Sequence, residues 1–139
     1  VSDPFDLQRF VDAQNPVYRR VVDELTRGRK ASHWMWFIFP QIAGLGLSPM
    51  AQRFAIGSRA QAAAYLAHEV LGPRLIECTR LVLAARGKPI GAILGSPDDM
   101  KFRSSMTLFA AVSSEPLFGE AVAAFYPDGP DTATLARLR

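Results

Sequence analysis

SHWMWFIFPQ, residues 32–41, is the densest apolar run of this 139-residue sequence, and its reading decides the fold. A short apolar run fits either a buried strand or a turn or two of helix. No second strand-like run is available to pair with it, and an isolated strand would leave backbone donors and acceptors without partners. The run is therefore predicted to be a short helix, ended where Pro40 restricts Phe39 away from helical torsions. With its one strand candidate removed, the chain is expected to be all-α.

Working outward, the flanks carry helix punctuation on both sides. Asp3 and Pro4 give a cap and a first-turn proline before the stripe Leu7, Phe10, Val11, which starts a first helix. Asn15 and Pro16 repeat the signal. Val17, Val21 and Leu25 then recur every four residues, flanked by the expected ion pairs Arg20–Glu24 and Asp23–Arg27, and Gly28 ends this second helix. The short basic run Arg27, Arg29, Lys30 reads as its solvated end.

Downstream, 41–49 reads as a loop and 50–55 as a short helix. Gly44 and Gly46 suggest sharp turns; without a preceding strand and a third glycine they are a weak phosphate-cradle signal. Ser58 with Gln61 forms a capping box before an alanine-rich helix to about Val70. Gly72 and Pro73 are expected to separate it from a helix over 73–85, which carries apolar residues on more than one side, as a central helix does. Residues 89–95 read as a turn-rich link. Ser96, Pro97 and Asp99 signal a capped start for a helix to about Val112. Glu115 and Pro116 restart another, and after a turn at 127–130 a last short helix bears Leu135 and Leu138. The expectation is a single domain, a compact irregular bundle of six to eight short helices packed orthogonally.

Composition agrees with a folded globule: 49% hydrophobic, 21% charged, with nine Phe and two Trp as bulky core material. The net charge of +3 is spread along the chain rather than gathered on one segment, which disfavours nucleic acid as a partner. Cys78 is the sole cysteine, so no internal disulfide and no Cys-based metal framework can form; within an apolar helical pattern it reads as a buried, inert thiol. The apolar run Trp34–Pro40 is far short of the ~20 residues a membrane-spanning helix needs. No secretory signal pattern opens the sequence, and a cytoplasmic protein is expected.

Two segments could carry chemistry. DDMKFRSSMTLF, residues 98–109, places Asp98, Asp99, Lys101, Arg103, Ser104, Ser105 and Thr107 inside an otherwise apolar helix. Hydroxyls in a helix interior compete for backbone bonds and need solvent or partners. Either they bond back to carbonyls while Lys101 pairs with Asp98, or Lys101, Arg103, Ser104 and Ser105 are donors to an anion. In the second segment, His33, Trp34, Trp36 and Gln41 are either core and surface residues or the wall of a pocket for a planar ligand. His68 reads as a surface residue favouring a helix C-terminus. No nucleophile elbow, zinc-protease signature or Cys/His metal spacing occurs, and neither metal nor cofactor is expected.

Three stretches carry a resemblance: WFIFPQIAGLG at 36–46, YLAHEVLGPRL at 65–75 and DDMKFRSSMTLF at 98–109. In sequence, order and spacing they resemble the DUF1810 family of small, mostly bacterial proteins, over nearly the whole chain. Phe102 stands where that pattern usually has Leu, and Glu69–Val70 where His-Pro is common. The resemblance implies an all-helical fold; the family's function is unknown, so it implies no activity. Two functional readings follow from the residues. The first is a pocket for a small anionic or nucleotide-like metabolite between 32–41 and 98–112, with ligand contacts from Trp34, Trp36, Gln41, Lys101, Arg103, Ser104 and Ser105. Were it also hydrolytic, the catalytic candidates are His33, Asp99, Lys101, Ser104 and Ser105, a serine nucleophile needing His33 delivered by folding. The second is a non-enzymatic module that binds a protein partner or a second copy of itself.

Overall fold

A computed structural model describes residues 2–139. Among these, ten helices follow one another: α1 Gln8–Gln14, α2 Tyr18–Thr26, α3 Met35–Ile38, α4 Pro49–Arg53, α5 Arg59–Ala67, α6 Leu71–Ala84, α7 Ile90–Leu94, α8 Asp98–Ala111, α9 Pro116–Phe125 and α10 Thr132–Arg137. The all-α class holds, and the run at 32–41 does contain a one-turn helix. The only sheet-like pairing among the described residues is one parallel bridge, Ile42 with Ile56. The helix count exceeds the expected six to eight partly because the expected link 89–95 contains α7.

Several boundaries differ from the sequence reading for local reasons. Asp3 does accept from the amides of Leu7 (2.8 Å) and Gln8 (3.0 Å), but from outside the helix, so α1 starts at Gln8. Ser58 Oγ caps α5 at Gln61 N (3.1 Å), whereas Gln61 Oε1 reaches back to Gly57 N (2.7 Å). Gly72 and Pro73 do not separate helices; both lie in the first turn of α6, where a proline's missing N–H is harmless. His68, expected to complement a helix C-terminus, serves the next helix instead: its Nδ1 accepts from Val70 N (3.1 Å) and Leu71 N (3.2 Å). Ser96 does not cap α8, whose first flanking residue is Pro97 without a side-chain cap.

The core is built around α6 and α8. Helix α6 packs on α2, α3, α5 and α9; α8 packs on α5, α7, α9 and α10. Cys78 is fully buried on α6, and burial pushes its thiol up to about 12, which keeps it protonated and inert. Two strings of touching rings thread the interior. One runs Phe54–Phe10–Tyr65–Phe109–Phe118, the other Trp34–Phe39–Phe102–Phe125–Tyr126. Edge-to-face members such as Phe39–Phe102, with centroids 4.9 Å apart, add ~1 kcal/mol each beyond the area they bury. The second string joins the 32–41 segment directly to α8.

Candidate functional site

Glu24 organises the approach to the site. On α2 it falls on the same buried face as Val21 and Leu25, so its carboxylate turns inward rather than toward Arg20. It accepts from Ala31 N (2.7 Å), Ser32 N (3.0 Å), Ser32 Oγ and Trp34 Nε1 (3.0 Å). Burial alone would raise its pKa; these donors outweigh that and hold it near 2. Of the ion pairs expected along α2, neither Arg20–Glu24 nor Asp23–Arg27 forms: the ion pairs among the described residues are Lys30–Asp98 and Lys101–Asp98.

The loop so held carries Lys30 and His33 toward the start of α8. Lys30 N donates to Ile93 O (2.7 Å) and its Nζ meets Asp98 Oδ2 at 2.8 Å, with the two side chains only 8% and 17% exposed. Lys30 is therefore no solvated helix end. Lys101 Nζ lies 3.7 Å from the other Asp98 oxygen and 5.1 Å from the centroid of the Trp36 ring. Trp36 is half-buried, and its Nε1 is shielded from solvent with no acceptor. These side chains, with Met35, Ser96 and Pro97, line a cleft of about 300 Å³.

The expected meeting of the two segments thus occurs, with a different cast. His33, Trp36 and Lys101 line the cleft; Lys30, Met35, Ser96, Pro97 and Asp98 join them. Trp34 does not: it is 1% exposed, and its N–H is taken by Glu24. Gln41 lies outside the cleft, its carbonyl accepting from Ile56 N (2.8 Å). Arg103 is turned to the 127–131 segment, donating to Gly129 O (2.8 Å) and Pro130 O (3.4 Å). Ser104 Oγ is within hydrogen-bond distance of Met100 O (3.3 Å) and Asp131 Oδ2 (3.0 Å), and Thr107 Oγ1 donates to Arg103 O (2.8 Å) and accepts from Asp131 N (2.9 Å). Ser105 is fully buried without a hydroxyl partner, away from the cleft lining. Asp99 bonds locally: its carboxylate accepts from Met100 N (2.9 Å), its carbonyl from the Tyr126 hydroxyl.

Most of the odd polarity of 98–107 is thereby structural: it ties α8 to the turn before α10. Only Asp98 and Lys101 face the cleft. A larger groove of about 800 Å³ runs beside α6, with His68, Glu69, Glu77 and Arg80 in its lining. Its polar groups are partly spoken for, since His68 Nδ1 holds backbone amides and Glu77 accepts from the Tyr18 hydroxyl. Among the described residues no cluster of three or more His, Cys, Asp or Glu could hold a metal ion, and no helix is long and apolar enough to cross a membrane.

Residues 4–138 match the family described as "Protein of unknown function (DUF1810)". The chain belongs to the DUF1810 family. This DUF1810 chain is also similar to a solved structure, that of the conserved hypothetical protein Rv1873 from Mycobacterium tuberculosis. The two are 55% identical, with 98% of each chain covered and a TM-score of 0.96. No curated protein matches. Neither the family's description nor that of the mycobacterial protein names an activity, so any function has to be argued from the cleft.

Proposed function

We propose that the protein binds a small anionic metabolite, nucleotide-like ones included, in the cleft between residues 30–36 and the start of α8. One observation carries this reading: the cleft lining holds more cationic than anionic charge. Lys30 and Lys101 set two ammonium groups against the one carboxylate of Asp98, and the Lys101 ammonium, 3.7 Å away, lies beyond hydrogen-bond distance of it. A partly buried ammonium without a hydrogen-bond partner is one that an acceptor-rich anion completes. Trp36 offers a ring for a planar group, with Met35 and Pro97 also in the lining. Ser104 and Ser105 stand outside this lining, so the reading is binding without a serine nucleophile.

Thermal-shift screening of the purified chain against nucleotides, sugar phosphates and carboxylic acids tests it. A ligand present at a hundredfold its Kd should stabilise the fold by ~2.7 kcal/mol. That gain should vanish in Lys101→Met. Absence of any stabilising anion, or stabilisation indifferent to Lys101, would count decisively against the cleft.

A further inference from the structure

The charges and walls of the cleft narrow the anion further, on the footing of the reading just proposed. Three formal charges line it: the ammonium groups of Lys30 and Lys101 and the carboxylate of Asp98. Lys30 and Asp98 make the close contact, 2.8 Å between largely buried side chains, and neutralise each other. Lys101, at 3.7 Å and 24% exposed, is the one cation of the lining left without a close counter-charge. A partly desolvated charge is tolerated when paired. A single negative charge completes the count; a second would be set against Asp98.

The hydrogen-bonding inventory agrees. Both Asp98 oxygens already face ammonium groups, so the one carboxylate of the cleft has little capacity left for a ligand that donates. The lining still offers the Lys101 N–H groups, the exposed Ser96 hydroxyl and the exposed His33 ring. Its apolar members are Trp36, Met35 and Pro97, and about 300 Å³ lies at the small end of ligand pockets. We infer that the ligand is a small, flat monocarboxylate whose carboxylate meets Lys101 while its ring lies along the Trp36 wall. Such an anion draws the Lys101 ammonium off the indole it now covers and leaves that face of the indole to the ligand's ring.

Calorimetric titration of the full chain with benzoate, nicotinate, acetate, nicotinamide, inorganic phosphate and AMP as probes tests this. Benzoate or nicotinate should bind at least ~10-fold more tightly than acetate, which shares the charge without the ring, and than nicotinamide, which shares a ring without the charge. Lys101→Met should weaken the ring acids by a similar factor, and Trp36→Ala should erase their advantage over acetate. Should Trp36→Ala fail to fold by circular dichroism, the wild-type ratio of benzoate to acetate decides alone, and equal affinities overturn the inference. Tighter binding of phosphate or AMP that depends on Lys101 leaves the anion site standing and overturns the monocarboxylate. No binding by any anion, or binding unchanged in Lys101→Met, overturns both.

Discussion

Glu24 shows how much of the cleft hangs on one buried acid. Its carboxylate gathers the backbone at 31–32 and the indole of Trp34, and so fixes the loop that presents Lys30 and His33. Because its pKa falls from the ordinary 4.5 to about 2 on folding, it contributes stability that is complete above pH ~4.5 and is lost as pH drops toward 2. The full contribution is on the order of 3 kcal/mol. Glu24→Gln should lower the urea midpoint at pH 7 and flatten the loss of stability between pH 4.5 and 2. Wild type and variant declining in parallel over that window would show that another carboxylate governs acid unfolding. The burial of Glu24 was legible in principle, since position 24 falls three after Val21 and beside Leu25 on the apolar face. A surface ion pair with Arg20 was the more familiar reading of the same spacing. Lys30 had no such signal: a lysine two residues past a helix-ending glycine looks solvated until the fold brings Asp98 to it.

At the scale of elements, caps and stripes told where helices form better than how neighbours join. The α5–α6 junction is the clearest case. Gly72 and Pro73 read as a break, yet α6 begins at Leu71, because the true requirement is space: a Cβ on Gly72 would sit 2.1 Å from the Leu66 carbonyl oxygen. Gly72→Ala should therefore cost about 3 kcal/mol, as an overpacked contact with backbone that cannot swing aside. Gly119, inside α9 with nothing within 4 Å of where a Cβ would stand, is the control: Gly119→Ala should stabilise by ~1 kcal/mol through helix propensity. Urea denaturation of the two variants reads opposite signs from the same chemical change. Equal effects would mean that α5 can retreat from α6. The polar run on α8 was only half legible for a related reason. Periodicity placed Phe102, Met106 and Phe109 in the core, but that Arg103, Ser104 and Thr107 hold the turn at 129–131 depends on where a segment some twenty-five residues later returns.

Across the whole molecule, one ion pair closes the distance that the sequence leaves open. Lys30 and Asp98 join the segment after α2 to the start of α8, and the cleft exists because those two places meet. The partners are not equivalent. Asp98 still has Lys101 at 3.7 Å if Lys30 is removed, whereas Lys30 has no second carboxylate in ion-pair reach among the described residues and its side chain is 8% exposed. Removing one member of a buried pair costs ~3–5 kcal/mol, chiefly because the other charge is stranded. Asp98→Asn should thus fall toward the upper end of that range and Lys30→Met at or below the lower. The double variant should be less destabilised than the two single losses added together, since the close and most buried ammonium, that of Lys30, is then no longer stranded beside an amide. Urea unfolding of all four proteins at one pH gives the coupling. Strict additivity would mean that the contact contributes nothing to holding the cleft, and a larger loss for Lys30→Met would mean that Lys101 gives Asp98 no support. The ordering Asp98 over Lys30 is the outcome that one close and one distant ammonium require.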